Sequence, residues 1–326
     1  MRALHRTSGL EVPVIDLGGA DEDRVRREID AACREWGFFQ IVRHGIPAPL
    51  VSATHAAMRR FFALPAAEKA AVRRTEQNAW GWNDRELTKN RRDWKEIFDV
   101  GPAIEHGPLA GNRPQWPAGL PAFRPVIEEF ARACERAGRQ LIGWISENLG
   151  MPRDHLDRAF GDRHTSFLRL NWYPVCEDAS ATETTLLPER GQLGIHHHTD
   201  SGALTVLLQD EQPGLQVWRD GAWHLVVPRR DALVINIGDV VQVWSNDLYR
   251  APLHRVLANA RAERYSAPYF LNPSCETVYA PLPSTVDPSH PARYRPIVWE
   301  QFRAARAAGD YADLGEEVQI AHYRVG

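Results

Sequence analysis

The stretch HTDSGALTVLLQD, residues 198–210, sets two side chains of metal-ligating type directly ahead of an apolar run of strand length. Similar short runs succeed one another from Thr165 onward: SFLRLNWY, ALTVLLQ, GLQVW, AWHLVV, ALVIN, VVQVW, HRVLA and RYSAPYFL. Turn formers such as Gln212-Pro213-Gly214, Asp220-Gly221 and Gly238-Asp239 break them apart. That spacing is the pattern of an all-β sandwich or barrel. The earlier chain reads differently. From Pro121 to Gly150 the apolar positions Phe123, Ile127, Phe130, Cys134, Ala137, Leu141 and Ile145 recur every three or four residues, an amphipathic helix stopped by Gly150 and Pro152. A second helix is expected from about Asp21 to Trp36, where Val25, Ile29 and Cys33 repeat every four residues. The predicted fold class is mainly β with flanking helices (α+β). A helical or mixed region, 1–120, packs on a β core within 121–326, the two forming one compact unit.

His198 and Asp200 are two residues apart, so on a strand they point to one face while Thr199 points away. His196 shares that face at roughly 6.6 Å from His198, so spacing alone leaves His196 and His198 as alternatives. A second imidazole comes from the separate segment His254-Arg255-Val256. Two imidazoles and one carboxylate on one side of an octahedron form the ligand set of non-haem Fe(II) oxygenases, leaving positions open for co-substrate and dioxygen. Ten residues after His254 comes Arg264-Tyr265-Ser266 on a strand-like run. Arginine offers a planar fork of donors matched to a carboxylate, and Ser266 shares its face and adds a hydroxyl. An anionic co-substrate could be anchored there.

The ordered set DWKEIFDVG (93–101), LRLNWYP (168–174), HTDSGALTVLLQD (198–210), GLQVW (214–218), HRVLAN (254–259) and RYSAPYF (264–270) resembles the 2-oxoglutarate/Fe(II)-dependent dioxygenases. PVIDL (13–17) and ACREWGFFQIVRHGIP (32–47) are similar to the N-terminal region of the isopenicillin-N-synthase-like branch, so the likeness spans nearly the whole chain. The resemblance implies a double-stranded β-helix, or jelly roll, with the metal in its mouth. It selects His198 over His196, because only His198 is followed by Thr-Asp and then the apolar strand. It implies His198, Asp200 and His254 as iron ligands and Arg264 with Ser266 as the grip on the distal carboxylate of 2-oxoglutarate. Asn171 and Tyr173 are implied co-substrate contacts, while His196 and His197 stay unassigned. The implied activity consumes 2-oxoglutarate and O2, releases succinate and CO2, and hydroxylates, desaturates or cyclises a small-molecule substrate of natural-product type.

Bulk properties fit that reading. The 326 residues carry a net charge of −3, with no broad basic field to favour nucleic acid. No apolar stretch approaches the roughly 20 residues that span a bilayer. The N-terminal MRALHRTSGLEVPVIDL lacks the apolar core of a signal peptide, so a cytoplasmic location is expected. Cys33, Cys134, Cys176 and Cys275 are scattered and read as small buried residues rather than a zinc site or disulfide framework. A reducing compartment also suits Fe(II). The sequence carries no signal for oligomeric state.

Glu177 to Gln192 reads as a loop, and Thr75 to Asp93, with Trp80, Trp82, Arg85 and Arg91, as part of a substrate-covering loop or, equally, as a segment whose tryptophans are partly buried against the barrel rim. IVWEQFRAARAAGDYADL reads as a helix with a following cap, which the family places across the barrel opening. Arg169 and Arg250 could face a substrate anion, although surface or core-bridging roles are favoured for both. The rival functions are an iron oxidase of the same fold without 2-oxoglutarate, ethylene formation from 2-oxoglutarate, and a non-catalytic jelly-roll binding protein.

Overall fold

Successive side chains of a strand point to opposite sides, so each apolar run has two usable faces, and the fold uses both. The computed structural model describes residues 11–19, 21–88, 91–105, 110–180, 191–309 and 318–325. Two facing sheets are built from β1 (Val14–Asp16), β2 (Phe38–Val42), β3 (Gly81–Asn83), β4 (Glu96–Val100), β5 (Phe167–Tyr173), β6 (Leu193–His198), β7 (Leu204–Gln209), β8 (Leu215–Arg219), β9 (Ala222–Leu225), β10 (Ala232–Ile237), β11 (His254–Leu257) and β12 (Arg264–Leu271). The larger sheet has eight strands in the order β1-β2-β10-β7-β12-β5-β4-β3, and the smaller has four in the order β9-β8-β11-β6. Neighbours are antiparallel apart from β1 and β2. This is the jelly-roll architecture expected.

The outer face of the larger sheet packs on helices α1 (Glu22–Glu35), α2 (Ala48–Phe62) and α3 (Phe123–Asn148). Leu168, Leu170, Leu204, Val206, Leu233, Ile235, Tyr265 and Tyr269 join Ile29, Phe61, Phe130 and Leu141 in one apolar core there. Phe61, Phe98 and Phe123 meet with ring centroids 4.5 to 5.5 Å apart. Both helices anticipated from periodicity form within about two residues of the expected ends, and the Asp21 side chain caps α1 by accepting from the Arg24 N–H at 2.8 Å. Residues of opposite parity on the same strands point between the sheets. Tyr173, Leu207 and Val234 meet Leu215, Val217 and Val256 there in a smaller apolar core. The polar inward positions make the site.

Two expectations need correction. VVQVW, expected as a strand, is the end of a short helix, α4 (Asp239–Trp244). All five of its residues are buried, so no polar face betrayed the helical period, and a short apolar run alone cannot separate strand from helix. The first 120 residues are also less helical than expected, since β1 to β4 all belong to the larger sheet. The C-terminal helix α5 (Trp299–Gly309) forms as read. Its expected cap, most of the Glu177–Gln192 loop and the first ten residues lie outside the described residues.

Candidate metal centre

β6 delivers His198 and β11 delivers His254, which stand opposite each other in the antiparallel ladder. The register then slips: Val256 faces Ile195 and Leu257 faces Leu193, so β6 is bulged relative to β11. The bulge breaks the alternation on which the sequence argument placed His196 beside His198. His196 instead bonds Asp93 at 2.9 Å through Nδ1, while the ligand atoms of His198, Asp200 and His254 all lie within 4.8 Å of one another. Asp200 sits beyond the last residue of β6, in the turn before β7, so chain reversal rather than strand alternation brings it to the histidines. Close backbone packing holds that turn. A Cβ on Gly238 would stand 2.3 Å from the Gly202 carbonyl oxygen and 2.8 Å from that of Asp200, so only glycine fits.

The Nε2 atoms of His198 and His254 each stand 3.6 Å from Asp200 Oδ1. His198 Nδ1 lies 2.8 Å from the His196 carbonyl oxygen and His254 Nδ1 lies 3.1 Å from that of Pro252. A carbonyl only accepts, so both rings carry hydrogen on Nδ1 and turn an Nε2 lone pair toward the shared point. Burial, reinforced by His198, pushes the His254 imidazole down to about 4 against the pull of Asp200, which leaves it neutral at pH 7. Burial opposes ionising Asp200, yet His254 and His198 outweigh it and hold the carboxyl well below the usual range. Its second oxygen accepts from Thr205 Oγ1 and from Asn236 Nδ2, the latter at 2.7 Å, which aims Oδ1 at the imidazoles. Two imidazoles that present Nε2 and an oriented carboxylate fit Fe(II).

The anion end is equally prepared. Arg264 projects inward from β12, with Nη2 donating to Gln209 Oε1 at 3.0 Å, Nε donating to the Gln212 carbonyl at 3.3 Å, and its guanidinium 5.1 Å from the Tyr173 ring centroid. Its Nη1 is buried without a partner. Ser266 Oγ meets Asn171 Nδ2 at 3.2 Å and Tyr173 Oη at 3.4 Å, and Asn171 Oδ1 is likewise buried and unpaired. Buried donors and acceptors left over in this way cost about 1 to 3 kcal/mol each unless something satisfies them. A keto dicarboxylate is of the right chemistry.

Asn171 also lines an open cleft shared with His198 and Asp200. One wall is aromatic, where Phe167 lies between Trp80 and Phe270 at centroid distances of 5.3 and 4.8 Å. The other is ionic. Arg169 pairs with Asp99 and Glu86, Lys95 pairs with Glu86 at 2.6 Å, and Arg74 approaches both carboxylates. Burial opposes the charge on Glu86, but Arg169, Lys95 and Arg74 together hold its carboxyl well below the usual range. Arg169 is thus the bridging arginine favoured from sequence, and Arg250 is an exposed residue of a separate surface cleft. Of the two readings of the Thr75–Asp93 tryptophans, burial holds for both Trp80 and Trp82, while Trp80, Glu86 and Thr88 also line the cleft. Arg303 and Arg306 of α5 close it from the C-terminal side. Sequence reading overlooked Thr205, Gln209 and Asn236, which orient Asp200 and Arg264. Each is a polar residue on an otherwise apolar strand, a signal that was available.

Comparison with known proteins agrees with this geometry. Residues 164–273 match the family model of the 2OG-Fe(II) oxygenase superfamily, and residues 12–119 match that of the non-haem dioxygenase in morphine synthesis N-terminal region. The chain is 33% identical to jasmonate-induced oxygenase 4 of Arabidopsis thaliana over 304 residues, covering 91% of this chain and 82% of that one. It is 31% identical to flavonol synthase/flavanone 3-hydroxylase of the same plant, covering 89% and 84%. The crystal structure of JOX2 in complex with 2OG, Fe and JA superposes with a TM-score of 0.78 at 33% identity, covering 90% of this chain and 84% of that one. With its jelly roll and its converging imidazoles and carboxylate, the chain belongs to the 2OG-Fe(II) oxygenase superfamily and is an Fe(II)- and 2-oxoglutarate-dependent oxygenase.

Proposed function

We propose that His198, Asp200 and His254 hold the Fe(II), that Arg264 and Ser266 bind the distal carboxylate of 2-oxoglutarate, and that Asn171 and Tyr173 complete its pocket. The observation that carries this reading is the convergence of three ligand atoms within 4.8 Å, beside a buried guanidinium nitrogen that lacks a partner. Bound Fe(II) would supply the oxidising chemistry, with O2 consumed and 2-oxoglutarate released as succinate and CO2. The protein's own work is positional. Carbonyls fix the imidazole tautomers, Thr205 and Asn236 aim Asp200, and Gln209 holds Arg264 in place.

The substrate in this reading is a small molecule, hydroxylated between the aromatic and ionic walls of the cleft, in natural-product metabolism. The names of the relatives, which refer to jasmonate, flavonol and flavanone, support that class. Asn171 and Tyr173, gathered on Ser266, favour 2-oxoglutarate use over an oxidase that dispenses with it. Neither nucleic acid nor membrane is a partner here. No helix among the described residues is long and apolar enough to cross a membrane, and the cytoplasm suits four thiols with no disulfide. Anaerobic reconstitution with Fe(II), followed by O2 and a panel of ring-bearing and acidic small molecules, tests the proposal. Succinate should form only with Fe(II) and 2-oxoglutarate together, and His198→Ala should form none. Native succinate release by His198→Ala would overturn it.

A further inference from the structure

We propose that Asp93, acting through His196, is a positioning residue for His198. The proposal rests on His198 being a metal ligand, and it gives a role to a histidine that the ligand set does not use. The bulge in β6 takes His196 out of register with β11, so its backbone N–H needs a partner elsewhere. Asp93 supplies it. One carboxylate oxygen accepts both the His196 backbone N–H at 3.1 Å and the His196 Nδ1–H at 2.9 Å. The other oxygen accepts from Thr88 Oγ1 at 2.7 Å and pairs with Lys95 Nζ at 3.1 Å. The Asp93 side chain is fully buried, and the next residue donates its backbone N–H to the Leu193 carbonyl at 2.9 Å, tying this segment to the start of β6.

Clamped at both N–H and ring, His196 is held on two sides of its Cα, which restrains the following peptide and the direction of its carbonyl. That carbonyl accepts the His198 Nδ1–H at 2.8 Å. Asp93 therefore sets, at one remove, the tautomer and the ring angle that turn His198 Nε2 toward Asp200 and His254. A relaxed His196 would let that imidazole swing, and partners of this kind commonly matter about 10- to 100-fold in metal affinity.

The test uses the full-length chain stripped of metal and titrated anaerobically with Fe(II), with the thermal midpoint of the metal-free protein recorded in parallel. His196→Phe keeps ring volume but lacks the donor, whereas His196→Asn restores an N–H at the Nδ1 position. The Fe(II) dissociation constant should rise about tenfold in His196→Phe and in Asp93→Asn, and should stay within about twofold of native in His196→Asn. Native affinity in a folded His196→Phe, or equal loss in the Phe and Asn variants, would overturn the proposal. Should Asp93→Asn fail to fold, the His196 pair decides alone. His198→Ala separates the two levels of inference. If it keeps native Fe(II) binding, the ligand assignment itself is wrong. If it loses binding while His196→Phe does not, only the positioning role is wrong.

Discussion

At Asp239, the first residue of α4, a carboxyl lies fully buried beside the centre, its backbone N–H donating to the Asp200 carbonyl at 2.8 Å. Burial pushes it up to about 7, against the pull of Arg306 and the Thr199 hydroxyl, from an ordinary value of 3.8. The folded chain therefore keeps a proton that the unfolded chain has lost between those values, and stability must fall as pH rises through that window. In metal-free protein, Asp239→Asn should raise stability at pH 8 by on the order of a few kcal/mol, read as a higher thermal midpoint, and the gain should vanish toward pH 4. A gain independent of pH would contradict the argument. At Arg264 the expectation is kinetic. Losing the guanidinium from a bound carboxylate costs about 2 to 5 kcal/mol, so Arg264→Ala should raise the KM for 2-oxoglutarate by roughly 30-fold or more in a co-substrate titration. An unchanged KM would move the carboxylate site elsewhere. The residues at issue in that titration were named from sequence because their chemistry is local to short motifs. His196 was not resolved, because a bulge is a property of two strands and no single strand displays it.

Elements show the same division between what one segment declares and what packing decides. α3 and α1 were legible because each has one buried and one solvated face, and the period is written in the residues. α4 was not, since burial on every side erases the period, and Asp200 was placed on a strand that in fact stops at His198. α3 packs against the larger sheet at Gly138, where a Cβ would lie 3.3 Å from Leu271 Cδ2 and 3.5 Å from Val206 Cγ2. Gly138→Leu would drive three further carbons into those side chains. It should cost about 1 to 3 kcal/mol or more in denaturant unfolding, while KM values of the folded fraction stay native. Undiminished stability would show that the helix has room to withdraw.

Across the whole molecule, the larger sheet sets β1 and β2 along one edge and β4 and β3 along the other, flanking the four strands that follow residue 121. That flanking was invisible in sequence, because β1 and β3 are only three residues long, β2 and β4 are buried along most of their length, and their partners are distant. A fragment of residues 121–326 would expose the faces that Phe61 and Phe98 cover on Phe123, and it should show no cooperative thermal transition by circular dichroism. A sharp transition with a native near-ultraviolet spectrum would mean that the core stands without them. A sandwich or barrel was legible, since turn chemistry and strand length recur along one continuous half of the chain, and the resemblance narrowed it to a jelly roll. What the whole fold accomplishes is to bring His198, Asp200 and His254, separated by up to 56 residues, around one point. The most direct test is a crystal grown anaerobically with Mn(II), as a redox-inert substitute, and 2-oxoglutarate. The predicted result is one metal bound to His198 Nε2, Asp200 Oδ1 and His254 Nε2, with the distal carboxylate on Arg264. Metal absent from those three atoms, or bound at another site while turnover is intact, would contradict it.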